Sequence, residues 1–419
     1  MQLEREEAGM MLKAFIIDLD MTLVDSSALE DWRHLKFWSH VMANLDQVKP
    51  FTFSSVSAHE LPARLRKSGL KVAVVTSSPR FYAEEILKRF NIEFDALVAY
   101  DDTEQHKPDP EPINKALELL GVQAGEVVHV GDAAIDVQAS YHAGVFSVGA
   151  GWGVQNFDAL SSAAPDALFM YPRTLLKLDE LALRGYVAES YALDIQPKVH
   201  AGSFLPCGGT PPRYALGRYF PREDSRHATS KLSNLLLEFK NSDDPAGTLA
   251  KALASFLTRL DWTPDYIVSV PPKPSQDRDR FSALFDAVEP LLSDDTHVIR
   301  NGLQCEKEIE GYKGMRALER ATAIRGVFVS PYTWANDRVL LLDDVLTTGE
   351  TVAECARVLL ANAAAEVRIA AFARDQQVFA RKLCPACNRP MRVRTNGTTG
   401  TRFWGCSGWP HECQHTENL

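Results

Sequence analysis

Short β-branched runs separated by longer amphipathic stretches constrain this chain more than any other feature. KAFIIDLD (13–20), KVAVVTSS (71–78), FDALVAY (94–100), EVVHVGD (126–132) and GVFSVGAG (144–151) have the length and residue types of strands, while PRFYAEEILKRF and EPINKALELLG between them carry helical spacing. Apolar strands alternating with helices predict a parallel sheet covered on both faces, with ligands at the carboxyl ends of the strands. A second unit of the same kind runs from DYIVSVPP (265–272) through DRVLLLDDV (337–345) and the helix TVAECARVLLANA to EVRIAAFAR (366–374). The expected fold class is therefore α/β, with two doubly wound parallel-sheet domains. At 419 residues the chain can bury a core in each and still carry a tail. The expected boundaries are a disordered extension at 1–10, domains at 11–184 and 185–380, and a small module at 381–419.

Charge and cysteine set that module apart. The formal net charge is -10, yet residues 381–419 carry +4, so the chain upstream carries -14 and only the tail suits a polyanion. Four of the seven cysteines, Cys384, Cys387, Cys406 and Cys413, also gather there. The opening MQLEREEAGM is acidic and lacks the apolar stretch of a secretory signal, and no run of about eighteen apolar residues occurs. A cytoplasmic protein with no membrane partner is expected, and in that compartment clustered cysteines point to metal and not to disulfides.

Acidic and basic residues recur at or just past strand ends in the first unit. Asp18 and Asp20 stand two apart after an apolar strand, so their side chains can leave the sheet on the same side. Thr76, Lys107, Asp132 and Asp136 follow later strands. Together they offer a carboxylate nucleophile, a second carboxyl as acid and base, donors for phosphoryl oxygens and acids for Mg²⁺. The segment from Phe15 to Gly153 closely resembles the haloacid dehalogenase superfamily of phosphohydrolases, whose four motifs match DLDMT, Thr76, Lys107 and GDAAID, and HAGVFSVGAGWG looks like the phosphoglycolate-phosphatase branch. The resemblance implies Asp18 as nucleophile, Asp20 as general acid and base, Thr76 and Lys107 as phosphate ligands, and a Mg²⁺ site at Asp18, Asp20, Asp132 and Asp136. About fifty residues separate the first motif from KVAVVT, which resembles a reduced cap and a more open site for a phosphorylated small molecule or nucleotide.

In the second unit, VLLLDDVLTTGET (339–351) reads as a buried strand whose following turn enters a helix, a cradle for phosphate. It resembles the 5-phosphoribosyl 1-pyrophosphate (PRPP) motif of type I phosphoribosyltransferases, and GMRALERATAIRGVFV is similar to the mobile-loop region of their ComF-like branch. That resemblance implies that Asp343 and Asp344 hold ribose hydroxyls, that Thr347, Thr348, Gly349 and Thr351 hold the 5-phosphate, and that Pro272 and Lys273 take the pyrophosphate. The segment SVPPKPSQDRDRF departs from the Arg-Gly-Phe-Asn-like sequence of that branch.

The tail pairs C-x2-C with C-x6-C, a spacing that lets two knuckles close on one Zn²⁺. Arg392, Arg394, Arg402, Phe403 and Trp404 lie between the pairs, as arginines for phosphates and rings for stacked bases, against the alternative of a very small core. FWGCSGWP resembles the C-terminal zinc ribbons of type IA topoisomerases, which implies contact with single-stranded nucleic acid. The longer second knuckle leaves His411 as a substitute for Cys413. These features together predict a Mg²⁺-dependent phosphatase fused to a PRPP-binding phosphoribosyltransferase and a zinc ribbon. The alternative is a nucleic-acid-associated repair, uptake or defence factor whose second domain only binds PRPP or a nucleotide.

Overall fold

A computed structural model describes residues 12–177, 185–308, 323–379, 381–409 and 411–419. The extension expected at 1–10, the boundary residues 184 and 380, and most of the segment GMRALERATAIRGVFV lie outside the described residues. The chain divides into two compact units, 1–184 and 185–419.

The first unit is built on six parallel strands: β1 (Ala14–Ile17), β2 (Lys71–Val75), β3 (Ala96–Val98), β4 (Val127–Gly131), β5 (Phe146–Ala150) and β6 (Ala167–Phe169), in the order β3-β2-β1-β4-β5-β6. Ile17 pairs with Val74 on one side and Val130 on the other, so Asp18 emerges at the centre of the sheet. Its two faces feed separate cores, Phe15, Ile17, Val72, Val74 and Val130 on one and Ala14, Ile16, Ala73, Val75 and Ile113 on the other. Burial on both faces is why these strands read as unbroken apolar runs. All four residues of β1 are fully buried. Hiding each of its isoleucines or its phenylalanine contributes roughly 1.5–3 kcal/mol, which anchors the acids that follow. Between Asp20 and β2 the chain forms two short helices, Glu30–His34 and Trp38–Ala43, and a minimal antiparallel pair, Val24–Asp25 with Lys49–Pro50.

The second unit carries β7 (Leu205–Cys207), β8 (Arg213–Ala215), β9 (Arg218–Tyr219), β10 (Tyr266–Ser269), β11 (His297–Val298), β12 (Arg338–Leu346) and β13 (Glu366–Asp375). Their order is β11-β10-β12-β13-β8-β7, with β9 also beside β13, and only the β7–β8 pair is antiparallel. Strand β12 runs further than its four apolar residues suggest, because Asp343 still pairs with Ala371 and Leu346 with Arg374. The paired acids therefore lie within the strand and not in the turn after it. The tail forms a three-stranded antiparallel sheet, β14 (Met391–Thr395), β15 (Arg402–Cys406) and β16 (Thr416–Asn418). It is tied to the rest of the second unit where the Val393 amide donates to the Arg222 carbonyl at 3.0 Å and Asp224 bridges to Arg381. Among the described residues, no helix is long and apolar enough to cross a membrane.

Candidate functional site

Three segments of the first unit converge on Lys107: the residue after β1, the end of β2 and the helix that follows β4. Its ammonium donates to Asp18 Oδ1 and to Asp136 Oδ1, each at 2.6 Å, and to the Val75 carbonyl at 3.2 Å. Asp18, Asp132 and Asp136 present carboxylate oxygens within 4.8 Å of one another. Burial, opposed by Lys107 and reinforced by Asp136 and Asp20, pushes the Asp18 carboxyl up to about 7, and burial with Asp18 and Asp136 pushes Asp132 well above the usual range. Three carboxylates against one ammonium leave excess negative charge in a dry site. An all-oxygen donor set of that charge fits a small hard dication such as Mg²⁺.

Neighbouring backbone fixes this geometry. A Cβ on Gly131 would stand 2.4 Å from Asp136 Cγ, so glycine before Asp132 makes room for the Asp136 carboxylate. One on Gly153 would lie 1.5 Å from the Met21 carbonyl, and Trp152 donates its indole N–H to the Thr22 carbonyl at 2.9 Å. The segment GWG thereby holds the loop that carries Asp18 and Asp20. Thr22 in turn donates to Asp132 Oδ1 at 3.0 Å. Thr76 is buried at the end of β2, where its amide donates to the Val98 carbonyl and its hydroxyl oxygen accepts the Ser78 amide.

The Asp20 carboxylate is engaged elsewhere. It accepts from the Ser78 hydroxyl and the Tyr82 hydroxyl, each at 2.7 Å, and faces the Arg33 guanidinium at 3.0 Å. It is therefore not gathered with Asp18, Asp132 and Asp136, and the expectation that its carboxylate joins them on the metal is corrected by these three partners. Two hydroxyl donors and a guanidinium instead hold its side chain in place beside the site. Arg33 comes from the short helix between the first motif and β2. No motif marked it, since a lone arginine on a five-residue helix carries no spacing signal; Ser78, two residues after Thr76, was nearer to view.

In the second unit Asp343 and Asp344 meet Arg280, whose Nη2 lies 3.3 Å from an oxygen of each. Lys240 stands 3.6 Å from Asp344 Oδ2. Burial and its acidic neighbour lift Asp343 to about 7, whereas Arg280 and Lys240 outweigh burial at Asp344 and hold it below the usual range. Thr347 and Thr348 are exposed ahead of the helix Glu350–Ala361, on whose first turn Thr351 lies. Gly349 caps that helix at φ 78, and a Cβ there would lie 2.1 Å from Arg213 Nη1, so glycine answers both a left-handed backbone and a close guanidinium. Pro272 and Lys273 follow β10, whose end pairs with the strand bearing the two acids. Arg280, Lys240 and Arg213 were missed by motif reading; Arg280 sits in DRDRF, the segment where the sequence departs from the family pattern.

The tail's four cysteines gather with sulfurs within 4.8 Å, Cys384 to Cys413 at 3.8 Å and Cys387 to Cys406 at 3.4 Å. Disulfide sulfurs stand about 2.05 Å apart, whereas four thiolates around one Zn²⁺ at about 2.3 Å would be separated by about 3.8 Å. The donor set fits Zn²⁺, with Cys413 and not His411 as its fourth member. The expected nucleic-acid face does not survive intact. Trp404 is buried against Cys384, Met391, Val393 and Cys406, so its ring fills the ribbon core and cannot stack on a base. Arg392 pairs with Glu223 at 3.2 Å, and Arg394 lies along Gly405 and donates to the Cys406 carbonyl. Phe403 is half-buried, and Arg402 turns toward the body of the second unit.

Comparison with known proteins bears on the first unit. Residues 31–150 match the family described as haloacid dehalogenase-like hydrolase, a span that includes Thr76, Lys107, Asp132 and Asp136 and begins just after Asp18 and Asp20. A proposed pyrophosphatase, PpaX, of Caldanaerobacter subterraneus subsp. tengcongensis is 44% identical over 121 residues, 28% of this chain and 55% of that protein. The pyrophosphatase PpaX of Halalkalibacterium halodurans is 36% identical over 26% of this chain and 51% of its own length. The chain thus spans about half the length of these two relatives. Among solved structures, that of a predicted phosphoglycolate phosphatase from Haemophilus somnus covers 40% of this chain and 98% of its own, at 22% identity and a TM-score of 0.34.

Proposed function

We propose, taking the first unit as the haloacid dehalogenase-like hydrolase domain matched by residues 31–150, that it cleaves phosphoric esters or anhydrides through a phosphoaspartyl intermediate. The convergence of Asp18 and Asp136 on Lys107, with the Asp132 carboxylate beside them, carries this reading. An Asp18 oxygen attacks phosphorus, and the bond to the leaving oxygen breaks as Asp20 supplies it a proton. Water then attacks the acyl phosphate, Asp20 takes up its proton, and phosphate leaves Asp18 free. Lys107 and Thr76 hold the phosphoryl oxygens, and Lys107 keeps Asp18 oriented. Mg²⁺ would be held by Asp18, Asp132 and Asp136, where it supplies charge neutralisation for the transferring group.

The names of the two relatives favour a phosphoanhydride, and inorganic pyrophosphate is the substrate to test first. That choice gives the second unit a role. Asp343 and Asp344 at the end of a parallel strand, with Gly349 starting the next helix, support PRPP binding, and Zn²⁺ on the four cysteines supports the tail. A transferase acting on PRPP releases pyrophosphate, and hydrolysis by the first unit would make that transfer irreversible. The test is phosphate release from pyrophosphate and from phosphoesters by the intact protein with Mg²⁺, alongside calorimetry with PRPP. Hydrolysis lost in Asp18→Asn supports the first reading; no hydrolysis of either class by the wild type contradicts it.

A further inference from the structure

The strand that carries Trp404 into the ribbon core also carries Arg402, and Arg402 faces a cavity. The space, about 260 Å³, is lined by Arg222, His227, Asn234, Leu237, Asn241 and Arg402, together with the ribbon's Val393 and Thr395. One wall is thus the ribbon and the other is the body of the second unit, including the helix Lys231–Phe239. Its volume falls just below the usual range of small-ligand sites, which begins at about 300 Å³.

Electrostatics make this cavity unusual for an acidic chain. Arg402 donates to the His227 carbonyl at 3.5 Å, and neither Arg402 nor Arg222 has a carboxylate partner among the described residues. Burial first, and Arg222 second, hold the Arg402 guanidinium below its usual range. Burial lowers the pKa of His227, which favours its neutral ring, and a ring nitrogen bonds the Phe220 carbonyl at 2.6 Å, so it adds little charge to the cavity. Two like charges held close, neither bonded to a carboxylate among the described residues, are stabilised by an anion that accepts from both, and guanidinium forks match phosphate oxygens. Asn234 and Asn241 add amide donors and acceptors across the space, and Leu237 adds an apolar surface. Those groups suit the base and sugar that a nucleotide phosphate brings with it.

We infer that the cavity between the ribbon and the second unit binds one nucleotide, its phosphate on Arg222 and Arg402 and its base or sugar against Asn234, Leu237 and Asn241. The nucleotide is either free or one unit of a single strand. This inference is independent of the hydrolase reading, and it replaces stacking on Trp404 as the ribbon's route to nucleic acid. Lys240, next in the chain to Asn241, approaches Asp344, so the cavity and the paired-acid site share the end of one helix.

The test uses the full-length, zinc-loaded protein with 5′-mononucleotides, inorganic phosphate and a short single-stranded oligonucleotide as separate titrants. Arg222→Gln is the principal variant, because Arg222 is exposed and its side chain makes no hydrogen bond or ion pair among the described residues, so its loss leaves the fold alone. Affinity should fall about tenfold in Arg222→Gln and again in Arg402→Gln, with partial recovery in Arg402→Lys. Zinc content and thermal midpoint should stay unchanged. Binding of mononucleotides identifies a free nucleotide as the ligand; binding of the oligonucleotide alone, with a salt slope reduced by about 0.7 per arginine removed, identifies a strand. Wild-type affinity in Arg222→Gln, or no binding of any titrant by the wild type, overturns the proposal.

Discussion

Asp18→Asn should stop turnover and yet stabilise the metal-free first unit. Asparagine keeps the shape of the side chain and removes one negative charge from a site where three carboxylates face one lysine. Lifting the Asp18 carboxyl from 3.8 to about 7 corresponds to about 4 kcal/mol lost by the ionised group on burial. That figure already includes the Lys107 bond, and an amide oxygen can still accept from Lys107, so the gain at high pH is at most about 4 kcal/mol. In a domain of this size such a gain raises the melting midpoint by at most about 8–16 °C. Because the folded pKa is raised, the folded wild type holds more protons than the unfolded chain between about pH 4 and 7, and its stability falls as pH rises through that window. The gain should therefore be largest near about pH 8 in chelator and vanish toward about pH 4. Mg²⁺ should reverse the ranking by binding the wild type more tightly. Calorimetry across pH, with and without Mg²⁺, reads all three effects. A variant that is less stable by the same amount at every pH would refute the argument, since Asp18 would then act as an ordinary hydrogen-bonding group.

Replacing Asp343 and Asp344 together by Ala should abolish PRPP binding by calorimetry and leave hydrolysis within about threefold, because the two sites are built by separate compact units and share no residue. Arg33→Ala should lower the rate of hydrolysis by about tenfold or more and shift its pH profile, since Asp20 loses its guanidinium partner; an unchanged profile would assign Arg33 to the surface. Trp404→Ala should cost about 3–5 kcal/mol and release zinc, read by metal analysis, whereas retained zinc with weaker oligonucleotide binding would restore the stacking role.

The parallel sheets were legible because strands buried on both faces leave nothing polar to confuse the pattern, and Asp18, Thr76, Lys107, Asp132 and Asp136 stood out at their ends. What holds the site together was not legible. Arg33, Ser78 and Tyr82 reach Asp20 from 13 to 62 residues away in the chain, and only the folded sheet brings them within 3.0 Å. The same holds for Arg280 and Lys240 around the second pair of acids. In the tail, composition showed aromatic and basic residues but not their facing. Alternation along β15 sends Arg402 and Trp404 to one side of the strand, and the register with β14 decides that this side is the inner one.

The central claim is that Asp18 becomes phosphorylated. The direct measurement is acid quench of the intact protein during turnover of pyrophosphate with Mg²⁺, followed by mass analysis of the peptide containing Asp18. A phosphoryl group on that peptide, discharged by hydroxylamine and absent from Asp18→Asn, is the predicted result. Turnover that proceeds with no phosphorylated peptide, or that persists in Asp18→Asn, would contradict it.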